Sequence, residues 1–372
     1  MAGFGQKASE RDGEYFKLLE TVSRLPQCQV FKYGTDKGRT GRTRFEPVRM
    51  SSGLYSAGFY NRSYNRDEDL VNRLLEENPV PVSVLVSDGV YSDPQAGYSI
   101  PFVNAIGGWF KAGRVLAVYV FKASFEGNLY KQNDDILGRV NLDNRPFYAF
   151  VFSPNPQELE KFDNWLSQQK VKPLHRYVFS DSALSCPSDD LKLSSASNDD
   201  DAAGKSLYDW EHGGHFYRMM FDEQLFAKSD TAQISFGLPC HRSNEYPVDG
   251  LSYGLKLEAA WQWNGRRWEQ GQDQGGFRNA KLDENQEISL SMARAPNGTH
   301  TLYQFALDLS GSKWRLKDEV EKLNSDNDND PSEADRTYGF SRLMTGLIQA
   351  HFQQRLAARK DYPRIFITLQ NQ

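Results

Sequence analysis

The chain has 372 residues, which corresponds to about two to two-and-a-half domains of ordinary size. Hydrophobic residues make up 39% and aromatic residues 13%, so the chain can form apolar cores, and disorder throughout is excluded. Its 44 Lys and Arg against 49 Asp and Glu give a net charge of −5, which excludes a molecule-wide basic field for nucleic acid. A local basic patch is still compatible with this balance.

The cysteines and the apolar segments bear on the cellular compartment. Cys28, Cys186 and Cys240 are odd in number and have no paired spacing, which favours a reducing compartment over a disulfide framework. The opening residues MAGFGQKASERDGEY lack the apolar segment of a signal peptide, and no run of about 18 apolar residues occurs. We therefore expect a soluble, cytoplasmic protein with no membrane partner.

The N-terminal region begins with a predicted helix at residues 11–25 and a short strand, QVFKYGT. A loop with four basic residues among glycines follows, and these residues are Lys37, Arg39, Arg42 and Arg44. Glycines let backbone amides approach an anion, and guanidinium groups bind phosphate in a bidentate manner. The loop is a candidate site for phosphate or nucleic acid, with a solvated, mobile loop as the alternative. Its residue order is not that of a Walker A loop.

Helical and short apolar segments alternate between residues 67 and 180. The predicted helices are 67–78, 101–111 and 156–169, and the predicted strands are 82–86, 115–121, 147–152 and 176–179. Such alternation is typical of a parallel sheet with crossover helices. The sequence therefore predicts a three-layer Rossmannoid α/β domain over residues 1–180.

The pattern changes after residue 180. Residues 181–205 are rich in Asp and Ser and are predicted to form a flexible acidic linker. Apolar and polar residues then alternate in segments such as 231–238, 252–264 and 300–310, which is typical of antiparallel strands. The sequence predicts an antiparallel β-sandwich-like domain over residues 206–372, which includes an amphipathic helix at 338–358.

A candidate site follows the predicted strand 82–86, where Ser87, Asp88 and Gly89 occupy its carboxyl end. Open α/β sheets bind ligands at this end. The run VSVLVSDGVYS resembles the strand of von Willebrand factor A domains that ends in an aspartate followed by glycine. Over about residues 29–180, this resemblance implies a Rossmannoid domain in which Asp88 helps to hold a divalent cation such as Mg²⁺.

The cation-binding part of that resemblance extends to other loops. It implies loop hydroxyls from Ser51, Ser52 or Ser63, while the family's Asp-x-Ser-x-Ser loop has no match in this chain. After the first strand the available carboxylate is Asp36, which we take as a second candidate metal ligand beside Asp88. The alternative for Asp88 is a structural role, in which it caps the following turn or helix.

A second candidate site lies in the connection of about 25 residues between the predicted strands 115–121 and 147–152, a length typical of functional or flexible loops. Glu126 and Arg145 stand in this connection and are expected to pair at the carboxyl edge of the sheet. Together with Ser87 and Asp88 they form the predicted partner-binding or ligand-binding set. A structural ion pair is the alternative for Glu126 and Arg145.

These observations favour a non-catalytic function. The chain contains no Gly-x-Ser-x-Gly, Cys-x-x-Cys, His-Glu-x-x-His or dinucleotide motif. We therefore expect an interaction or assembly component of a bacterial multi-protein system, whose sheet edge docks a protein partner. The alternative is a metal-dependent phosphoester hydrolase or nuclease, with Asp36, Asp88 and Glu126 as its carboxylates and the basic loop as its phosphate contact.

Overall fold

The computed structural model divides the chain into two compact units, and each unit is discontinuous in sequence. Unit 1 comprises Met1–Ala183, Asn244–Pro247 and Leu316–Arg355, and unit 2 comprises Leu184–Ser243, Val248–Arg315 and Leu356–Gln372. The structure describes residues 4, 13–35, 43–48, 66–77, 81–89, 100–130, 136–180, 215–221, 232–237, 244–263, 266, 268–270, 277–282, 287–292, 300–327, 330–356 and 365–371.

The helices of the described segments are short and amphipathic. They are α1 (Glu14–Ser23), α2 (Asp67–Glu76), α3 (Ile100–Lys111), α4 (Pro156–Gln168), α5 (Asp318–Leu323) and α6 (Phe340–His351), with a 3₁₀ turn at Pro331–Glu333 and a π-helical turn at Phe352–Leu356. Within the described residues, no helix is both long enough and apolar enough to cross a bilayer.

The strands alternate with these helices in the first half of the chain and dominate the second half. They are β1 (Val30–Thr35), β2 (Thr43–Val48), β3 (Ser83–Ser87), β4 (Val115–Tyr130), β5 (Ile136–Ser153), β6 (His175–Phe179), β7 (His215–Phe221), β8 (Ala232–Gly237), β9 (Val248–Trp263), β10 (Trp268–Gln270), β11 (Phe277–Leu282), β12 (Glu287–Met292), β13 (His300–Leu316), β14 (Asn324–Ser325), β15 (Thr337–Tyr338) and β16 (Ile365–Asn371). The class is therefore mixed α and β, as the sequence predicts.

Unit 1 is built on a four-stranded sheet with the order β3-β5-β4-β6. All three strand pairs are antiparallel, and Phe150 of β5 lies opposite Leu85 of β3 and Val118 of β4. The predicted parallel arrangement is therefore wrong for these strands. Hydrophobic periodicity reports which residues are buried and carries no information on strand direction, whereas the hairpin that joins β4 to β5 requires antiparallel pairing.

The predicted long connection between two central strands is itself mostly strand. β4 has 16 residues and β5 has 18, and they remain paired as far as Tyr130 and Ile136. In this outer part of β4, Phe125 and Leu129 are buried and Asn128 is exposed. This alternation of buried and exposed residues is itself typical of a strand. The sequence prediction ended the strand at Phe121, because the continuous apolar run stops there.

Helices cover both faces of this sheet. On one face, Phe147, Ala149 and Val151 of β5 belong to a core cluster that also contains buried residues of α1 and α4. On the other face, Phe150 and Phe152 make ring contacts with residues of α3. Successive residues of a strand point to opposite faces, so β5 can be apolar on both sides and still serve two separate cores.

Local capping explains where α4 begins. Pro156 occupies the first turn, where its missing N–H removes no helical hydrogen bond. The Asn155 side chain precedes it as the N-cap and accepts a hydrogen bond from the Glu158 backbone N–H at 2.9 Å. Asn155 and Pro156 therefore predict the start of α4 from the sequence alone.

Two segments that are distant in sequence complete unit 1. Tyr246, from the short stretch Asn244–Pro247, is fully buried against Phe179 of β6 and His351 of α6. The predicted apolar stripe of α6 is buried in the same unit, with Phe340 and Leu347 at 0% exposure. The sequence assigns this helix to the β-rich domain, whereas in the structure it packs with unit 1.

Unit 2 is formed by one hydrogen-bonded sheet among the described strands. Its order is β7-β16-β13-β9-β11-β12-β8, and β10 pairs with β9. The pair β16–β7 is parallel, while pairs such as β13–β16 and β12–β8 are antiparallel. The β-rich character is as predicted. The predicted linker at 181–205 lies outside the described residues.

Candidate functional site

The predicted site at the end of β3 is a tight, buried turn. Ser87 is 1% exposed, and its Oγ accepts a hydrogen bond from the Gly89 backbone N–H at 3.1 Å. Gly89 has a φ of +72°, and a Cβ placed there would lie 2.7 Å from the Tyr148 ring. The turn therefore requires glycine, both for its backbone conformation and for its close approach to the aromatic ring.

Arg145 is buried beside this turn, with 6% of its surface exposed. Its Nη1 donates to the Ala334 carbonyl at 2.6 Å, its guanidinium lies 4.8 Å from the centre of the Phe125 ring, and Nε has no acceptor among the described residues. Burial lowers the pKa of Arg145, while the negative charge of Asp88 acts in the opposite direction. Arg145 is thus built into the end of the sheet.

A short segment, residues 330–338, covers this end of the sheet, and we call it the strap. On one face of the sheet its Ala334 carbonyl accepts from Arg145, and on the other face the Tyr148 hydroxyl donates to Thr337 Oγ1 at 2.9 Å. The chain itself therefore occupies the edge at which the sequence predicts partner docking. Ser87 and Arg145 offer little exposed surface to a partner in this arrangement.

Glu126 lies elsewhere on the hairpin and has a different partner from the predicted one. Its carboxylate accepts from Arg139 Nη2 at 2.9 Å, across β4 and β5. The Arg139 side chain is 67% exposed and the Glu126 side chain 34% exposed. The predicted pair of Glu126 with Arg145 is thus replaced by a surface ion pair between neighbouring strands, because the extended hairpin places Arg139 beside Glu126.

A buried carboxyl that the sequence does not single out lies close to Asp88. Asp67 is 6% exposed, and its Oδ1 accepts a hydrogen bond from the Tyr33 hydroxyl at 2.5 Å. Burial raises the pKa of Asp67 to about 7, and the negative charges of Glu68 and Asp88 also raise it, while the Tyr33 hydrogen bond lowers it. In the sequence Asp67 is only an acid that opens α2, because its partner Tyr33 is 34 positions away.

The metal and anion predictions rest largely on residues that the structure does not describe. Asp36, Lys37, Arg39 and Arg42 lie outside the described residues. Arg44 is an exposed residue of β2, opposite Gly34 of β1. Within the described ranges, no group of three or more His, Cys, Asp or Glu side chains is placed to hold a metal ion. The divalent-cation site at Asp88 and Asp36 and the anion site at the basic loop remain predictions.

Unit 1 also contains a groove of about 510 Å³ between α3 and α6. One wall is α3 with Ile100 and Asn104, and the other is α6 and the π-helical turn, with Thr345, Gln349 and Gln353. Gly346 lies where the two helices approach each other closely, since a Cβ placed there would lie 2.8 Å from Val103 Cγ2. The missing side chain lets the helices approach at this point of the groove, which polar residues of both helices also line.

Charges in the groove nearly balance. Glu321 and Arg342 are its ionisable residues, and the Ser341 hydroxyl at the same end donates to Glu321 at 2.9 Å. Within the segments that the structure describes, no residue exchanges a hydrogen bond with the side chains of Asn104, Gln349 or Gln353. These amides are therefore available to a bound molecule.

Comparisons of the chain with protein-family models, with curated proteins and with solved structures find no match.

Proposed function

We propose that unit 1 is a non-catalytic protein-interaction domain that docks a partner in the groove between α3 and α6. The observation that carries this proposal is the pairing of an open groove of about 510 Å³ with uncommitted polar side chains along its walls. Such a surface offers hydrogen bonds without requiring an internal one to break. Docking thereby moves from the predicted sheet edge, which the strap covers, to the two helices beside it.

The amphipathic character of α6 explains why this surface is stable before a partner binds. Its apolar face, which includes Leu343 and Leu347, is buried in unit 1. Its opposite face presents Gln349 to the groove, the π-helical turn that follows presents Gln353, and both residues are exposed. The core therefore holds the helix in place, so that binding need not order it, and this lowers the entropic cost of association.

Site-specific photo-crosslinking in cells of the source organism tests this proposal. A photoreactive amino acid at Gln353 is expected to give a discrete adduct with one protein, whereas the same group at Gln168, which is exposed on α4, gives none. The adduct is expected to disappear when Thr345→Arg fills the groove. Equal labelling from both positions, or no adduct from Gln353, would contradict the proposal.

A further inference from the structure

The first two strands of unit 1 form a hairpin with a two-stranded sheet of its own. β1 and β2 pair antiparallel, with Thr35 opposite Thr43. Among the described residues of this hairpin, no large apolar side chain is fully buried, and Phe31 is 39% exposed. An isolated two-stranded hairpin is only marginally stable in water. The position of this hairpin therefore depends on its contacts with another element.

Helix α2 supplies such contacts from its first turn, and each strand of the hairpin donates one hydrogen bond to it. The Tyr33 hydroxyl of β1 donates to Asp67 Oδ1 at 2.5 Å. The Thr43 hydroxyl of β2 donates to Asp69 Oδ2, also at 2.5 Å. Carboxyl groups of α2 thus hold both strands of the hairpin.

A third contact comes from the next turn of α2. The Arg73 guanidinium lies 5.2 Å from the centre of the Phe31 ring and 4.7 Å from that of the Phe45 ring. Arginine remains charged throughout the physiological pH range, so this cation–π contact does not change with pH. A pH dependence of docking must come from the carboxyl groups.

Asp67 is the carboxyl group whose surroundings disfavour its charge. Within the segments that the structure describes, the groups that act on it are Tyr33 of β1, Glu68 of α2 and Asp88 after β3, and none of them is a cation. The neighbouring Arg66 pairs with Glu68 at 3.2 Å. Since Asp67 is 6% exposed, its ionised form also lacks hydration while the hairpin stays docked.

We infer that Asp67 is a pH-sensitive latch, which holds the β1–β2 hairpin on α2 while it is protonated and releases the hairpin when it ionises. The docked hairpin keeps Asp67 buried, so the docked state binds the proton more tightly than the open state does. Docking is therefore strongest below the ordinary aspartate pKa of 3.8 and weakens as the pH rises to about 7. Arg44, an exposed residue of β2 and a member of the candidate anion site, moves with the hairpin.

Native-state hydrogen exchange of the full chain between about pH 5 and 8, corrected for the intrinsic exchange rate, tests the latch. Protection of the β1 and β2 amides is expected to fall by about tenfold per pH unit up to about pH 7 and to level off above it. Low concentrations of urea are expected to leave this protection unchanged, because a local opening exposes little surface. Protection of the β5 amides is expected to fall steeply with urea.

Three variants separate a latch from a merely structural contact. Asp67→Asn keeps an oxygen acceptor for Tyr33 but cannot ionise, so hairpin protection is expected to become independent of pH. Tyr33→Phe removes the hydrogen bond that lowers the pKa of Asp67, so the levelling is expected to move to higher pH. Asp69→Asn alters the other hydrogen bond of the pair and serves as the matched control, with the native pH dependence expected.

Several outcomes would overturn the inference. One is exchange of the hairpin amides only together with those of β5 at every pH, since the hairpin would then open only by global unfolding. Others are a native pH dependence in Asp67→Asn, or its loss in Asp69→Asn. If Asp67→Asn does not fold, Tyr33→Phe decides the matter, because an unchanged levelling pH in that variant would also overturn the latch.

Discussion

Asp67 shows how burial changes the chemistry of a single residue. An aspartate at the start of a helix is ordinarily exposed, where it favours the positive end of the helix dipole. Here it is 6% exposed and receives the Tyr33 hydroxyl, so its charged form loses most of its hydration. One hydrogen bond does not replace that hydration, and the pKa rises to about 7.

This pKa makes the stability of unit 1 depend on pH. Because the folded pKa of Asp67 is above the ordinary aspartate pKa of 3.8, the folded state holds its proton more tightly. The resulting stability is fully present below the unfolded pKa and is lost as the pH rises through about 7. We expect Asp67→Asn to remove most of a pH-dependent loss of up to about 4 kcal/mol between pH 4 and 8.

Urea unfolding at several pH values, monitored through the hydrogen exchange of β5 amides, measures this loss of stability in unit 1. Glu76→Gln, on the exposed side of the same helix, serves as the control and is expected to keep the native pH dependence. A native slope in Asp67→Asn would show that Asp67 does not titrate in this range.

At the scale of elements, the packing of α3 against α6 depends on glycine. Gly346 meets Val103 at a separation that leaves no room for a Cβ, whereas a Cβ at Gly107 would be 3.5 Å from Gln354 Cγ, an ordinary contact. The two glycines lie in the same helix pair but differ in this respect. Glycine has a lower helix propensity than alanine, so each of these glycines lowers the stability of its helix.

The contrast predicts opposite effects of alanine at the two positions. Gly346→Ala is expected to destabilise unit 1 by about 1–2 kcal/mol, because overpacking exceeds the gain in helix propensity. In a Val103→Ala background the same change is expected to be neutral or stabilising. Gly107→Ala serves as the control, with a gain of up to about 1 kcal/mol.

Thermal and urea unfolding of the native chain, Val103→Ala, Gly346→Ala and the double variant complete a double-mutant cycle. A coupling between Val103 and Gly346 close to zero would mean that the helices do not meet at this point, which would contradict the shape of the groove described above.

At the scale of the whole molecule, the chain does not divide at a single boundary. Arg176 of β6 forms ion pairs with Asp163 of α4 and Glu245, while the Val178 N–H donates to the Glu245 carbonyl at 2.9 Å. Residues 244–247 thus extend the contacts of β6, although they stand between β8 and β9 in sequence. Unit 1 therefore needs segments from three parts of the chain.

Tyr246 provides the test of this arrangement. Its side chain is fully buried among aromatic rings, including Phe179 and Phe352, so Tyr246→Ala is expected to destabilise unit 1 by about 3–5 kcal/mol. Hydrogen exchange is expected to quicken in β6 and in α6. Asn244→Ala, an exposed neighbour, is the control and is expected to leave exchange unchanged. Faster exchange confined to β9 would contradict the assignment of residues 244–247 to unit 1.

The site is less predictable from sequence than the elements around it. Ser87 and Asp88 were recognisable as residues at the end of β3, because strand ends are marked by a change from apolar to polar residues. Arg145 was predicted at the same edge of the sheet, but as the partner of Glu126. The strap over them was not, since residues 326–335, which include its first part, are rich in Asp and resemble an exposed loop. The groove depends on Gly346 meeting Val103, and neither residue carries a sequence signal for that contact.

The sequence by itself determined the position of most helices and strands, including α2, α4 and α6, because the period of apolar residues is a local property. Only the tertiary structure decided the antiparallel order of β3, β5, β4 and β6, the burial of Asp67, and the place of α6 in unit 1. These features depend on contacts between residues far apart in the chain. A local pattern shows that a face must be buried, but its partner is selected by the packing of the whole unit.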